Sequence, residues 1–342
     1  MFGSRKSVLA VDVGSSSVKI LEVQREGQDL LLTGFARVEV AGDTNRSDAV
    51  SEALRRGNFG SKRSMSSVSG KSVIVRYLTM VRMSNEELQR AVAFEAEKYI
   101  PWPIEESQVD AVSLGDLPQA DASAPPEMRV LLVASKKSYV TDHAQMLVDQ
   151  GLSPVAIDVD ALAIGQAFEL HQRVTGAQAP SGGIALIDLG ATKTCINVLA
   201  GGVTRFTREV DSGGQDMTQA VSRKLAIEPF EAERVKCAPG EKAAEVEEAI
   251  TPAIADLANE LTLSFDYFEH QGEGQIEAVY LSGGGSLAPS MAEHIERATG
   301  KKTHMWNPIE GLKIQADGLD IDDLNARAPS LAVAVGLAAR EL

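Results

Sequence analysis

Two stretches of this 342-residue chain carry one pattern: Val8-Leu-Ala-Val-Asp-Val-Gly-Ser-Ser-Ser-Val-Lys19 and Ile184-Ala-Leu-Ile-Asp-Leu-Gly-Ala-Thr-Lys-Thr194. Each begins with an apolar run typical of a buried strand, and that run ends in Asp-x-Gly. Small and hydroxyl-bearing residues follow, and then a second apolar run. The pattern predicts an internal repeat, with one strand–turn–strand unit in each half of the chain.

The two turns have the composition of a phosphate-binding site. Backbone N–H groups of a tight turn can point at phosphate oxygens, and glycine lets the backbone come close. One Asp-x-Gly turn is more often structural, but two copies can face each other and clamp a di- or triphosphate. We predict that Asp12 and Asp188 are the catalytic and magnesium-binding carboxylates. The residues predicted to bind the phosphates are Gly14, Ser15, Ser16, Ser17, Lys19, Gly190, Ala191, Thr192, Lys193 and Thr194.

A third motif, Leu281-Ser-Gly-Gly-Gly-Ser286, separates a predicted strand from a predicted helix. Its glycines leave a flat backbone surface that suits an adenine ring, so Gly283, Gly284, Gly285 and Ser286 are predicted to bind adenosine. The stretch also fits the dinucleotide fingerprint G-x-G-x-x-A. That interpretation needs an acidic residue about 20 positions on, and 303–307 lacks one. A P-loop is excluded as well, because Met65 stands where Walker A requires glycine.

Composition narrows the class of protein. The chain has 33 Lys and Arg against 48 Asp and Glu, a net charge of −15, which disfavours binding to nucleic acid or anionic lipid. Its two cysteines cannot form a disulfide framework. No stretch has the pattern of an export signal or a membrane span.

The first half of the chain contains a predicted insert. Three apolar runs within 8–40 predict an antiparallel meander, and the Gly- and Ser-rich stretch 56–71 predicts an exposed loop. Ser84 and Glu87 fit a capping box. The elements predicted for 72–151 are a strand at 72–81, a helix at 86–99, strands at 109–114 and 128–135, a hairpin tip at 118–127 and a helix at 140–150.

The second half adds a long core helix. Its apolar residues recur at helical spacing within 246–271, which predicts a buried face. The other predicted elements are a strand at 154–158, helices at 161–171, 216–225 and 231–237, a strand at 276–281, and helices at 290–299 and 330–340.

With these residues in place, the chain resembles the actin/Hsp70/hexokinase superfamily. The segments 12–19, 188–194 and 281–286 resemble its phosphate-1, phosphate-2 and adenosine motifs, while 158–167 and 329–338 resemble its two connecting helices. The resemblance implies a two-lobed actin-like α/β fold (ribonuclease H-like, duplicated). It also implies ATP and Mg²⁺ as cofactors.

Further site residues follow from the same resemblance. Gly213 and Gly214 resemble a glycine pair that approaches the phosphates. Glu233 and Lys236 are similar to a pair that touches ribose and adenine in Hsp70-like members, although an exposed amphipathic helix fits the pattern equally well.

The insert indicates a branch within the superfamily. Its strand–helix–strand–strand order resembles the extra subdomain of FtsA-like proteins, and the segments 95–103, 213–218 and 231–236 are similar to the PilM family of type IV pilus assembly proteins. An FtsA is expected to continue into an amphipathic membrane helix, whereas this sequence stops at Leu342. The domains implied are a first lobe at 1–71 and 152–180, an insert at 72–151, a second lobe at 181–327 with a smaller subdomain near 214–275, and a returning helix at 328–342.

The resemblance also implies a function. The protein is expected to be cytoplasmic, and to bind the N-terminal cytoplasmic peptide of a PilN-like inner-membrane protein, which holds it peripheral to that membrane. It would thereby support assembly of a type IV pilus or a related secretion machine, with self-association as a further property. The partner groove is expected between the insert and the first lobe, near the apolar residues Tyr99–Trp102, with a buried Trp102 as the alternative.

Hydrolysis of ATP is expected to be slow or absent. Fast hydrolysis needs a carboxylate or Gln at the start of the first connecting helix, and only Asp158 and Asp160 lie there. We predict Asp158 as the third catalytic residue, whereas Asp160 also suits a helix cap. The alternative function is a sugar- or acetate-type small-molecule kinase on the same fold, but no acceptor-binding cluster is evident.

Overall fold

Strands and helices alternate along the chain. The computed structural model describes residues 7–27, 29–40, 44–118, 125–177, 182–272, 274–315 and 320–341. The predicted hairpin tip at 118–127 lies largely outside these residues. The elements are β1 (Ser7–Val13), β2 (Ser17–Glu26), β3 (Asp29–Glu39), α1 (Arg46–Gly57), β4 (Arg63–Val68), β5 (Val73–Val81), α2 (Asn85–Ala96), β6 (Ser107–Asp116), β7 (Glu127–Lys136), α3 (Lys137–Asp149), β8 (Ser153–Val159), α4 (Asp160–Thr175), β9 (Gly183–Leu189), β10 (Thr194–Ala200), β11 (Val203–Val210), α5 (Gly214–Leu225), α6 (Pro229–Cys237), α7 (Ala243–His270), β12 (Ile276–Ser282), α8 (Met291–Thr299), β13 (Lys302–Met305), β14 (Lys313–Ile314), α9 (Ile321–Arg327) and α10 (Ala332–Glu341).

The predicted meander forms one side of a six-stranded sheet. The strand order is β14-β3-β2-β1-β4-β8, with β1, β2 and β3 antiparallel and β4 parallel to β1. Residues 8–11 of β1 are fully buried, as the uninterrupted apolar run predicts for a strand covered on both faces. Register pairs Asp12 with Lys19 across the first hairpin.

The prediction of an exposed loop over 56–71 is wrong in its second half. Residues Arg63–Val68 form β4, in the interior of the sheet between β1 and β8. Ser64 and Ser66 are fully buried, and the Ser66 hydroxyl donates to the Val11 carbonyl oxygen over 2.6 Å. Serine can be buried there because the neighbouring strand supplies an acceptor, a partner that a local hydropathy pattern does not reveal.

The second repeat builds a five-stranded sheet with the order β11-β10-β9-β12-β13. Antiparallel β9 and β10 reproduce the first hairpin, and β12 runs parallel to β9. The predicted core face of α7 is confirmed, since the apolar residues at helical spacing are buried beside the sheet: Ile250, Ile254, Leu257, Leu261, Phe265 and Phe268. Over the described residues, no helix has both the length and the apolar composition that spanning a membrane requires.

The helices α4 and α10 pack directly against each other. Both correspond to the predicted connecting helices, and α10 also lies on β1 and β2. A Cβ atom added at Gly336 would lie far inside 3.0 Å of the carbonyl group of Ala163. The glycine therefore permits a backbone-to-backbone approach that no other residue allows.

Residues 68–149 form a compact unit of their own, separate in their contacts from the unit of residues 1–67 and 150–342. Its antiparallel sheet has the order β5-β7-β6, and α2 packs against one face. The predicted capping box is confirmed: the Ser84 hydroxyl accepts from the Glu87 N–H, and the Glu87 carboxylate accepts from the Ser84 N–H.

A buried histidine lies on α4, the helix that connects β8 of the first sheet to β9 of the second. His171 on α4 belongs to an aromatic cluster with Phe168 and Trp306, with ring centroids 5.9 and 6.2 Å from its own. Burial lowers the pKa of His171 below its ordinary value, and the carboxylate of Glu310 only partly opposes this.

We expect His171 to make the fold acid-sensitive. Because the folded chain binds this proton less readily than the unfolded chain, the stabilisation from neutral His171 is lost as the pH falls through about 6.5, the ordinary histidine value. Urea unfolding at pH 7.5 and 5.5 should show a smaller pH dependence in His171→Gln than in the wild type. An identical pH dependence in both proteins would contradict this role.

Candidate functional site

The two turns of the repeat have the same backbone arrangement. The Gly14 N–H donates to the Ser17 carbonyl over 3.1 Å, and the Gly190 N–H donates to the Lys193 carbonyl over 2.9 Å. A Cβ at either glycine would come within 2.8 or 2.9 Å of that same carbonyl oxygen. Asp-x-Gly is therefore required by the tight turn in both halves.

The turns also meet. The Thr192 hydroxyl donates to the Ser15 hydroxyl over 3.1 Å, although the two residues are 177 positions apart. Both residues are exposed, so these side chains are accessible from solvent. The structure thus brings the two predicted phosphate-binding turns face to face.

Two carboxylates lie behind the turns. Asp12 is ion-paired with Lys19, with 2.7 Å between the Oδ2 and Nζ atoms. Asp188 accepts a hydrogen bond from the Ser282 hydroxyl over 3.0 Å. Burial raises the pKa of Asp188 to about 6; Lys19 opposes the rise, and the negative charge of Asp12 adds to it.

This donor set fits a hydrated magnesium ion. Carboxylate oxygens are the ligands Mg²⁺ prefers, and it commonly keeps several waters. Among the described residues no group of three or more metal-binding side chains occurs, so Asp12 and Asp188 would hold the ion partly through water. A divalent cation here would also stabilise the ionised form of Asp188, which burial disfavours.

Lys193 is held in an ion-pair network. Its ammonium nitrogen lies 3.1 Å from Asp160 Oδ2 and 3.2 Å from Glu209 Oε1. Burial lowers the pKa of Lys193, but these two carboxylates outweigh burial and keep the pKa above its ordinary value. Asp160 Oδ1 also accepts from the Ser67 hydroxyl over 2.6 Å. Carboxylates therefore hold the Lys193 side chain in place, and it is not simply solvated.

The two carboxylates predicted near the start of α4, Asp158 and Asp160, have different partners. Asp158 is 4% exposed, and its carboxylate pairs with Arg340 of α10. The Oδ1 atom of Asp158 also accepts from the Val159 N–H. Asp160, two residues later, contacts Lys193 of the second turn instead. Asp158 is the last but one residue of β8 and Asp160 opens α4, so the change from strand to helix sends the two side chains in different directions.

The glycine pair at 213–214 packs on the second turn. The Gly214 N–H donates to the Gly190 carbonyl, and the Gln215 N–H donates to the Ala191 carbonyl. A Cβ at Gly213 would lie 2.6 Å from the Ala191 oxygen. This contact places the N-terminus of α5 against the second turn.

The triple glycine approaches the same turn from β12. Gly283 has a φ of +86°, and a Cβ at Gly283 or Gly285 would overlap Leu189. A Cβ at Gly284, in contrast, meets nothing within 4 Å. The loop therefore leaves an open backbone surface at Gly284, next to the end of β9. Ser286 is 2% exposed and its hydroxyl donates to the Gly283 carbonyl, so it braces this loop.

Glu233 and Lys236 of α6 form an ion pair that lies against the first turn of α5. Lys236 is 3% exposed, and its ammonium donates to Glu233, to the Thr218 hydroxyl and to the Gly214 carbonyl. Burial raises the pKa of Glu233, but Lys236 outweighs this and leaves the pKa below its ordinary range. The alternative of a solvated amphipathic face therefore does not describe Lys236.

We expect Lys236→Met to weaken adenine-nucleotide binding by about tenfold, since it removes a charge-assisted donor and frees the Glu233 carboxylate. Calorimetric titration of the purified protein measures this. The control is Lys224→Met, which breaks the surface pair with Glu248 elsewhere in the same lobe. Equal affinities of both variants and the wild type would contradict the assignment.

The remaining predicted residues divide by exposure. Ser16 is exposed and its carbonyl accepts from the Val40 N–H, whereas Ser17 is buried in the strand that follows the turn. Thr194 is fully buried and its hydroxyl donates to the Ser212 carbonyl, so it joins the second turn to the loop before α5.

Sequence reasoning missed four residues around this site. The hydroxyls of Ser67, Ser282 and Thr218 donate to Asp160, Asp188 and Glu233, and Glu209 pairs with Lys193. Ser282 and Thr218 lie inside segments used above, 281–286 and 213–218. Ser67 and Glu209 come from strands far away in sequence, which only tertiary structure brings to the site.

Within the unit of residues 68–149, the predicted partner-binding residues differ in exposure. Tyr99 is 37% exposed. Trp102 is half-buried: its Nε1 donates to the Ser107 hydroxyl over 2.8 Å, and Lys136 lies over its ring.

Solved structures are similar to this chain in fold. A structure of a PilM–PilN type IV pilus biogenesis complex contains a chain with 26% identity and a TM-score of 0.83, which covers 97% of this chain and 98% of its own. EutJ from Carboxydothermus hydrogenoformans has 13% identity and a TM-score of 0.56 over 99% of this chain and 90% of its own. These structural similarities confirm the predicted actin-like ATPase fold.

A cell division protein, FtsA of Bacillus subtilis (strain 168), is 24% identical over 256 residues, which are 67% of this chain and 57% of FtsA. A family profile matches much more of the chain, from residue 10 to residue 342. The profile describes the type IV pilus assembly protein PilM, and the chain belongs to that family.

Proposed function

We propose that this protein binds ATP with Mg²⁺ between its two hairpin turns, and that it supports assembly of a type IV pilus or a related secretion machine by binding an inner-membrane partner. The observation that carries the nucleotide part is the contact of Ser15 with Thr192 in front of Asp12 and Asp188. Two glycine turns offer backbone donors from opposite sides, and the carboxylates suit the cation that accompanies phosphates.

The adenosine end of the nucleotide is proposed to lie along the open backbone at Gly284, with Glu233 and Lys236 nearby on α6. Support comes from the contact of Gly214 with both sides: its N–H donates to the Gly190 carbonyl, and its carbonyl accepts from Lys236. The same glycine thus joins the proposed phosphate and adenosine subsites.

Turnover is proposed to be slow. Asp160, which pairs with Lys193 of the second turn, also accepts from the Ser67 hydroxyl, and these bonds leave it a poor base for activating water. We expect a rate below about 0.01 per second, the range of nucleotidases that lack added transition-state charge. Nucleotide would then act mainly as a bound ligand.

The partner is proposed to be the N-terminal cytoplasmic peptide of a PilN-like inner-membrane protein. Support comes from the family and from the related chain solved in a PilM–PilN complex. Such a peptide would hold the protein at the cytoplasmic side of the inner membrane. The regions around Tyr99 and Trp102 are proposed to take part, as the sequence predicted.

A peptide capture experiment tests this function. Immobilised N-terminal peptides of single-span membrane proteins, with scrambled peptides as the reference, are incubated with the protein in the presence and absence of Mg-ATP. We expect retention on PilN-like peptides alone and a loss in Tyr99→Ser. Phe94→Ser is the matched control, because Phe94 is a more exposed aromatic residue of the same unit. Retention on no peptide would contradict the proposed partner.

The kinase alternative finds less support. A family match over residues 10–342 favours an assembly protein. Incubation with Mg-ATP and a panel of sugars and acetate distinguishes the two functions, since a phosphorylated product would favour the kinase.

A further inference from the structure

The outer edge of β3 is open over its second half. On that side β14 pairs with Leu31 and Leu32, and the Gln315 N–H donates to the Leu32 carbonyl. Over the described residues, no strand pairs with this edge beyond that point. A register shift in the pairing with β2 falls at the same place, between Leu32 and Gly34. Such bulges bend a strand and end pairing, so Gly34–Glu39 forms a separate segment of sheet edge.

The backbone groups on this edge can be identified from the register. The Val40 N–H donates to the Ser16 carbonyl of the neighbouring hairpin. Residues on an antiparallel strand alternate between bonding inward and pointing outward. In the register of β3 with β2, the N–H and C=O groups of Phe35, Arg37 and Glu39 therefore point away from β2.

A groove of about 1130 Å³ runs along the same edge. Its floor is Thr33–Glu39 of β3, and its walls are α1 and the start of α9. Six residues of extended chain span about 20 Å. The groove thus offers an extended peptide both a strand edge and two helical walls.

The walls carry an excess of negative charge. Three arginines line the groove, and each is ion-paired with a carboxylate of the same groove: Arg37 with Glu39, Arg56 with Glu52, and Arg327 with Asp323. Asp48 and Asp320 lie there in addition, one at the start of each helical wall. The excess of acid matches the net charge of −15 of the whole chain. A basic occupant is favoured.

We propose that Gly34–Glu39 is a docking edge, at which an extended protein segment bearing lysine or arginine adds as a strand to the six-stranded sheet. Main-chain hydrogen bonds to Phe35, Arg37 and Glu39 supply affinity, and Asp48 and Asp320 select the basic side chains. The acidic walls disfavour nucleic acid and anionic lipid. This surface depends neither on the proposed nucleotide site nor on the proposed binding of the PilN-like peptide.

The test uses the whole protein and a defined probe. A fluorescein-labelled peptide of alternating lysine and valine, six residues long, is titrated by fluorescence anisotropy, with a glutamate–valine peptide of equal length as the reference. We expect the basic peptide alone to bind. When the basic peptide binds, hydrogen exchange should slow at the amides of Phe35, Arg37 and Glu39.

Two variants test the two parts of the proposal. Arg37→Pro removes an outward N–H without taking a hydrogen bond from the pairing with β2, as proline on a sheet edge can. The double variant Asp48→Asn/Asp320→Asn removes two charges; asparagine at 320 still caps α9, and Asn45 remains the cap of α1. We expect each to weaken binding about tenfold. The control Asp211→Asn/Asp256→Asn removes two charges beside β11, outside this groove, and should bind as the wild type does.

Several outcomes would overturn the proposal. They are absence of binding, equal binding of the acidic peptide, exchange protection confined to other strands, and unchanged affinity in both groove variants. Slow exchange of the three amides in the free protein would show that another segment of the same chain already pairs with this edge. Protection of these amides that appears only when sedimentation shows a dimer would mean that a second copy of the protein pairs with this edge.

Discussion

Gly336→Ala is expected to destabilise the protein by about 3 kcal/mol, within the upper range for overpacked cores. In an exposed helix the same change adds stability, by about 1 kcal/mol, because alanine is the better helix former. Here the added methyl would overlap the carbonyl group of Ala163 on α4. That atom belongs to the backbone of a buried helix and has little room to shift, so α10 must move away from α4.

Urea unfolding measures this effect. The control is Gly60→Ala, since a Cβ at Gly60 meets only the Glu22 carboxylate at 3.5 Å, an ordinary contact. We expect the control to lie within about 0.5 kcal/mol of the wild type. A Gly336→Ala protein as stable as the wild type would show that the two helices do not cross as closely as described.

Asp188→Asn is expected to weaken Mg-nucleotide binding by about 100-fold and, in the free protein, to raise stability at neutral pH. Both effects have one cause: the fold holds a carboxylate whose ionisation it disfavours, with the pKa raised from 3.8 to about 6. Such a rise corresponds to at most about 3 kcal/mol of destabilisation above pH 6. Asparagine removes that cost but cannot hold the cation.

The direction of this pKa shift determines how the stability cost of Asp188 changes with pH. Below pH 3.8 the carboxyl group is protonated in both the folded and the unfolded chain, so it costs nothing. The cost grows as the pH rises and is complete above about 6. The stability advantage of Asp188→Asn should therefore be present at pH 7.5 and shrink towards pH 4. Asp256→Asn, at an exposed position of α7, serves as the control.

The two readouts can fail separately. A variant that binds Mg-nucleotide as the wild type does would remove Asp188 from the site. A variant without the stability gain would instead show that the carboxylate is better solvated than its burial indicates.

Much of the fold was predictable because its signals are local. The Asp-x-Gly repeat predicts both hairpins, since the turn that follows each strand requires glycine where a Cβ would strike the Ser17 or Lys193 carbonyl. The helical spacing of α7 and the capping box of α2 are equally local, and the structure confirms both.

Local patterns were wrong, or left a choice open, where a distant partner decides. Ser64 and Ser66 resemble a loop by hydropathy, yet β1 and β8 enclose them and bury them. The choice between Asp158 and Asp160 depends on Arg340 and Lys193, which lie more than 30 residues away in sequence. Neither partner leaves a trace in the local pattern.

The proposal that phosphates lie between the two turns can be tested by cross-linking the two turns with a disulfide. In a Cys237→Ser background, which leaves only the buried Cys195, cysteines are placed by Ser15→Cys and Thr192→Cys, whose hydroxyls lie 3.1 Å apart. The rate of disulfide formation is then measured with and without Mg-AMP-PNP. We expect the free protein to cross-link, nucleotide to slow the reaction at least tenfold, and the cross-linked protein to lose nucleotide binding. Cross-linking at the same rate in both conditions, with unchanged affinity afterwards, would contradict the account.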